Sequence, residues 1–323
     1  MKRPILACIL SLAILCPTSL LHASPSRLIP HLQFSTWQPL EQRTDSKLMR
    51  QLRDHLNDHP AWRRLLKEKK MAVGVVDLAE PDGPHFASVN GDSMMYAASL
   101  PKIAVLLAAF DAFEDGSLQE SEAVYDDLNA MIRCSSNHAA TRMIDRLGFD
   151  KIAATVTDPR YRLYDPARGG GLWVGKRYAK SGDRHPDPIK GLSHAATVNQ
   201  VCRFYYLLAS GKIINPTRSA QMLEILSDSM IHHKFVGVLE KRAPEARLFR
   251  KSGTWRSWHA DSVLVWGPER RYILVGLVQD SGGEKILRDL VSEVDGLVVQ
   301  PAAKRPVLAG NTDLPVSTLT NRN

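Results

Sequence analysis

Three short runs place reactive or charge-holding side chains at useful spacings. The first is Ser99-Leu100-Pro101-Lys102. A serine hydroxyl is a poor nucleophile at its own pKa and needs a base beside it. Residues three apart on a helix share a face, so Lys102 could be that base. Pro101 suits a first helical turn, which predicts that Ser99 opens a helix. The positive end of the helix dipole would then favour an alkoxide at Ser99. Burial or a neighbouring cation would lower the Lys102 pKa and let it accept a proton. Alone the run says little. About one Ser-x-x-Lys is expected by chance at this length, and an ordinary helix start with a surface lysine looks the same.

The second run is Ser135-Ser136-Asn137, ahead of a predicted helix beginning His138-Ala139-Ala140-Thr141. A second serine can return a proton to a leaving group. An asparagine can hold a substrate amide and steady Lys102. A plain N-cap pair would use the same residues. The third run is Lys251-Ser252-Gly253-Thr254, on a predicted strand. Lys251 offers a fixed positive charge for a carboxylate, Ser252 a hydroxyl, and Gly253 room for close backbone approach. On an edge strand the Thr254 N–H, paired with that of Ser99, could form an oxyanion hole. An ordinary glycine-bearing strand is the plain alternative. No Cys/His run has metal-ligand spacing, and His232-His233 are adjacent rather than one turn apart. No cofactor or metal is expected.

These runs need elements to carry them. Thr44–Lys70 keeps a helical face through Leu48, Leu52, Leu56, Trp62, Leu65 and Leu66. Met71–Leu78 reads as a buried strand, Pro81-Asp82-Gly83 as a turn, and His85–Asn90 as the hairpin partner. Ser99–Phe113 is apolar enough for a helix buried on most sides, and Ser121–Leu147 holds one or two more. Residues 156–192, rich in Gly, Pro, Arg and Tyr, form a long irregular stretch, a kind of segment that often carries function. His194–Ser210 and Thr217–Met230 return to helix. Arg247–Gly253, Ala260–Trp266 and Arg271–Gln279 read as strands, and Gly283–Leu297 as a final helix. Strands at both ends of the chain can pair into one antiparallel sheet with the helical block between them, an α+β arrangement.

Composition agrees with a globular domain of sizeable core: 323 residues, 44% hydrophobic and 24% charged. The net charge of +8 becomes +6 without Lys2 and Arg3. No basic run interleaved with aromatics supports a nucleic-acid partner. Lys2-Arg3 followed by apolar Ile5–Cys16 reads as an export signal, too short to span a bilayer. Cleavage is expected after Ala23. That gives a signal at 1–23, an arm or linker at 24–43 and a loose tail at 301–323. The mature chain would be periplasmic or secreted, with no membrane span. Lipid attachment at Cys16 is disfavoured by Leu15 before it. Cys134 and Cys202 would remain, as one disulfide or as two buried thiols.

The three runs occur in the order Ser-x-x-Lys, Ser-x-Asn, Lys-Ser-Gly, each on the element type its role needs. In that combination the chain resembles the class A β-lactamase-like serine hydrolases of the penicillin-recognising family. The resemblance runs from about Leu65 to Leu297. It includes Ala72–Asp77, Tyr96-Ala97-Ala98-Ser99, His194-Ala195-Ala196-Thr197 and Arg271–Gly276. It implies a β-lactamase/transpeptidase-like α+β fold over residues 44–300. An antiparallel sheet part (44–98 and 247–300) with terminal helices would flank an inserted all-helical part (99–246). That part would be trimmed, since Ser135 follows Ser99 by only 36 residues. The resemblance also implies roles. Ser99 attacks an amide carbonyl and is acylated, and Lys102 takes its proton. Ser135 returns a proton to the leaving nitrogen, tuned by Lys251. Asn137 holds the substrate or Lys102. Ser252, Gly253 and Thr254 line the substrate. The implied partner is a small-molecule β-lactam or a cell-wall peptide.

Two departures bear on chemistry. Ser136 stands where the family has Asp. Residues 147–223 contain no Glu, although class A enzymes use a Glu on that loop to activate the deacylating water. Asp165, in Tyr164-Asp165-Pro166, is the nearest acid, but a turn residue before proline looks the same. Ready acylation with poor release is the resulting expectation. D,D-peptidase, esterase or amidase action, and a penicillin-binding module without turnover, stay open. An α/β-hydrolase elbow at Gly191-Leu192-Ser193-His194-Ala195 lacks its final glycine. Just past the third run, Arg256 or His259 could bind a substrate carboxylate, or simply sit at a strand end. Oligomeric state is not legible.

Overall fold

Every residue of Met71–Asp77 is buried, as a central strand covered on both faces must be. The structure is a computed structural model that describes Pro30, Leu32 and residues 37–299 except Pro81. The expected signal, most of the arm and the tail lie outside the described residues. In chain order the elements are α1 (Ser46–Asp58), α2 (Pro60–Lys67), β1 (Met71–Asp77), β2 (His85–Val89) and β3 (Met95–Tyr96). Then follow α3 (Lys102–Glu114), α4 (Glu122–Arg133), α5 (Asn137–Leu147), α6 (Phe149–Thr157), β4 (Tyr164–Asp165), β5 (Gly170–Gly171), β6 (Trp173–Val174) and β7 (His194–Ala196). The chain closes with α7 (Val198–Ala209), α8 (Pro216–Leu226), α9 (Lys234–Arg242), β8 (Arg247–Trp255), β9 (Trp258–Trp266), β10 (Arg271–Gln279) and α10 (Gly283–Val298).

The main sheet has the order β2-β1-β10-β9-β8 and is antiparallel throughout. β1 pairs with β10, from Met71↔Val278 to Asp77↔Tyr272, so strands far apart in the chain meet in mid-sheet. Alternation along β1 sorts the core into two. Val73 and Val75 join Leu52, Trp62, Leu287 and Val291 beneath α1, α2 and α10. Ala72 and Val76 join the larger cluster with α3 and α7. On that face a Cβ at Gly74 would lie 2.8 Å from Cys202 Sγ, so the glycine lets α7 pack close over β1. The α+β architecture expected from the sequence is the observed one.

Local differences have local causes. The expected helix 44–70 splits because Pro60 opens α2 and cannot continue α1. His194–Ala196 is a strand, pairing with β3 and β6. The helix begins only after Thr197, whose side chain accepts from Gln200 N. α9 adds a helix between the expected helix 217–230 and β8. Cys134 and Cys202 are both free; Cys202 is buried but Cys134 is exposed, so neither the disulfide nor a pair of buried thiols is found. No helix among the described residues is long and apolar enough to cross a membrane.

Candidate active site

Lys102 begins α3, a helix buried on nearly all sides, and its side chain is fully buried. A buried ammonium needs acceptors, and the second run supplies them. Lys102 Nζ donates to Ser135 O at 2.6 Å, Asn137 Oδ1 at 2.9 Å and Ser136 O at 3.3 Å. Ser135 Oγ lies 3.4 Å away. The Tyr178 ring covers the ammonium at 4.5 Å from its centroid. Burial pulls the Lys102 pKa down to about 7.

The turn between α4 and α5 makes this possible. Ser135 has φ 55°, a left-handed conformation that non-glycine residues adopt at a cost. Ser136 caps α5, its hydroxyl accepting from Ala139 N at 3.2 Å. Asn137 is the first residue of α5.

Lys251 comes from β8, the edge strand of the sheet. It is buried, and its Nζ donates to Ser135 Oγ and to Ser252 O, both at 2.9 Å. Burial first, then the charges of Lys102 and Arg250, hold its pKa well below the usual lysine range. Ser135 Oγ therefore sits between two lysine amino groups. Ser252 is buried and Thr254 exposed.

Gly253 brings the third run against the first. A Cβ there would press into Ala97 O and lie 2.7 Å from Ser99 N and 2.9 Å from Leu100 N. Only glycine lets β8 approach the Ser99 turn this closely. Ser99 does not open the regular helix as expected. It lies in the turn before α3, with Lys102 N donating to Ser99 O at 3.3 Å. Ala98, just before it, has φ 49°. Among the described residues the Lys102 ammonium bonds the Ser135–Asn137 turn and not the Ser99 hydroxyl.

The sequence reading missed three contributors. Lys234, the buried first residue of α9, donates to Thr254 Oγ1 at 2.7 Å, Gly253 O at 2.8 Å and Ala260 O at 3.2 Å. Burial lowers its pKa to about 8. Nothing local marked it, because its partners are strand residues far along the chain. Arg250 and Asp261 form a fully buried ion pair at 2.8 Å beside Lys251. Arg250 also ties Ile231 O and His233 O to β8. Tyr178 donates to Ala98 O at 3.3 Å and packs on His194. Burial draws the His194 pKa down to about 4, so its ring is neutral near pH 7.

Other candidates lie elsewhere. Asp165 Oδ1 accepts from Ala167 N at 3.0 Å as an ordinary turn residue. It lines a small cavity with Phe86 of β2, at the sheet edge opposite β8. Arg256 stacks on exposed Trp255 at the β8–β9 turn. His259 is buried against Gly283. Among the described residues no cluster of three or more His, Cys, Asp or Glu could hold a metal ion.

The chain matches the family described as "Beta-lactamase enzyme family" over residues 60–127 and 123–300. No curated protein matches it by sequence. Among solved structures it is similar to the β-lactamase of Sphaerobacter thermophilus, at 17% identity and TM-score 0.59, covering 76% of this chain and 95% of that one. PBP-A is similar at 18% identity and TM-score 0.57, covering 78% of this chain and 96% of the other. The class A β-lactamase of Mycobacterium abscessus is similar at 14% identity and TM-score 0.56, covering 73% and 97%. At these identities the structural likeness establishes a β-lactamase-like fold, and the family match establishes kinship. With β1 paired to β10 in its sheet and its three runs gathered at β8, the chain belongs to the beta-lactamase enzyme family, within the penicillin-recognising serine hydrolases.

Proposed function

We propose that the protein is acylated at Ser99 by β-lactam or peptide-like amide substrates and releases the acyl group slowly. The observation that carries this reading is the Ser135 hydroxyl held between the Lys102 and Lys251 amino groups, with Gly253 packed on the Ser99 backbone. Ser99 Oγ attacks the amide carbonyl and its proton passes to neutral Lys102. The oxyanion is held by the N–H groups of Ser99 and Thr254. The C–N bond then breaks as Ser135 gives its proton to the leaving nitrogen and regains one from Lys102. Lys251 polarises Ser135 throughout. Asn137 steadies Lys102 and the substrate amide. Lys251, Ser252 and Thr254 receive a substrate carboxylate.

Slow release rests on the loop. Residues 147–223 hold no Glu, and the Asp165 carboxylate caps its own turn. A solved relative of the fold, a PBP-A mutant, is an acyl-enzyme complex with penicillin G, which supports a β-lactam as acyl donor. The same Glu-free loop favours, as a second reading, a D,D-peptidase-like or esterase role on cell-wall material. Export, on the strength of Lys2-Arg3 and Ile5–Cys16, fits either substrate.

Intact-mass measurement after exposure to penicillin G tests the proposal. A persistent adduct on Ser99, absent from Ser99→Ala, is the expected result. An adduct that survives in Ser99→Ala would end the assignment. Rapid sustained turnover of a chromogenic cephalosporin would end the claim of slow release.

A further inference from the structure

Tyr178 belongs to none of the three runs. It comes from the long stretch after α6, yet one side chain reaches both sides of the Ser99 turn. Its hydroxyl donates to Ala98 O at 3.3 Å, and its ring centroid is 4.5 Å from Lys102 Nζ. The ring is fixed from behind. His194 packs on it at 4.2 Å between centroids, and the His194 Nε2–H donates to Lys176 O at 3.0 Å, two residues before Tyr178. β6 pairs with β7 through Val174↔His194, which anchors the start of the same segment. The acceptors of the Lys102 ammonium all come from Ser135, Ser136 and Asn137. The Tyr178 ring covers a further side of it.

Hydrolysis of an acyl-enzyme adds water across an ester. The water oxygen bonds to the acyl carbon, the bond from that carbon to Ser99 Oγ breaks, and a base carries the water's proton to Ser99 Oγ. The water and its base need a place beside Ser99. A Tyr178 ring face offers no carboxylate to take the proton, its hydroxyl is committed to Ala98 O, and burial keeps that hydroxyl protonated. We propose that Tyr178 blocks the Lys102 side of Ser99 against water and so makes the acyl-enzyme long-lived. The inference rests on the acylation of Ser99 proposed above and names the residue that governs its reversal. Tyr178 is a positioning residue here, acting on the space beside Ser99.

The test compares wild type, Tyr178→Ala and Tyr178→Phe. Each is acylated with penicillin G, freed of excess reagent, and followed by intact mass. Tyr178→Ala is expected to shorten the adduct half-life at least ten-fold while slowing acylation less than that. Tyr178→Phe, which keeps the ring, is expected to restore the long half-life. A purely structural role would slow acylation and leave release alone. The proposal is overturned if Tyr178→Ala releases within two-fold of wild type, or if Tyr178→Phe releases as fast as Tyr178→Ala. If Tyr178→Ala does not fold by near-UV circular dichroism, Tyr178→Asn is read the same way. A short-lived wild-type adduct overturns this inference and leaves acylation standing. No wild-type adduct with penicillin overturns the β-lactam reading. The same comparison is then made on acetyl-Ser99 formed from p-nitrophenyl acetate. Failure of both reagents to acylate Ser99 overturns both proposals.

Discussion

The Lys251 ammonium donates to the Ser135 hydroxyl across 2.9 Å, although the residues are 116 positions apart. Lys102 Nζ approaches the same oxygen at 3.4 Å. One hydroxyl thus joins the helical part of the molecule to the edge of its sheet. A proton relay of this kind typically contributes 10²–10⁴-fold. Ser135→Ala is therefore expected to slow acylation by about 10²-fold or more, with Ser99 remaining the modified residue. Time-resolved intact mass measures the rate, and peptide mapping the site. An unchanged rate would remove Ser135 from the mechanism.

Acylation should follow the charge of Lys102. Its pKa is lowered by burial to about 7 from 10.5, and only the neutral amine accepts a proton. The rate is expected to rise about ten-fold per pH unit below 7 and to level above it. Stability carries the same sign. Between about pH 7 and 10.5 the unfolded chain holds this proton and the folded chain does not. This group therefore makes the fold more stable as pH rises through that window. Acylation rates from pH 5 to 9 give the check. A flat profile would show that Lys102 is not the base.

Gly253→Ala is expected to damage both stability and acylation. The added Cβ would lie 2.7 Å from Ser99 N, so β8 or the Ser99 turn must shift. Overpacking of this kind costs about 1–3 kcal/mol. The shift also spoils the pair of N–H groups proposed to hold the oxyanion. Thermal melting and the acylation rate should fall together. A stable variant with normal acylation would contradict the close approach.

Asp261→Ala tests the buried pair, and also removes the acceptor of Phe235 N and Ser262 N. It leaves the Arg250 guanidinium, itself fully buried, without its carboxylate. Losing one partner of such a pair costs about 3–5 kcal/mol. Urea unfolding is expected to show a loss in that range. A loss below about 1 kcal/mol would mean that Ile231 O and His233 O suffice.

Much was legible in the chain before it folded. The buried run Met71–Asp77, the strand Arg271–Gln279 and the final helix follow from local pattern, because their apolar residues are continuous or periodic along the sequence. The helix start at Ser136-Asn137 and the strand bearing Gly253 were legible from residue type. Serine and asparagine favour helix caps, and a glycine in a strand marks close backbone approach. Sequence named Asn137 as a group that could steady Lys102, a contact the structure has at 2.9 Å, but it could not show that the backbone carbonyls of Ser135 and Ser136 would also be acceptors. Nor could it show Tyr178, Lys234 or the Arg250–Asp261 pair. Tyr178 has no periodic signal, and Lys234 heads a helix that ordinary patterning hid.

The sequence by itself determined which groups are present, their order, and the secondary structure that carries most of them. Tertiary structure alone decided which groups meet and which of them lose water. Closure of β1 on β10, with β9 and β8 added in turn, brings Lys251 to Ser135. Burial there changes what a lysine can do, since loss of water disfavours the charged ammonium and nearby cations add to the effect.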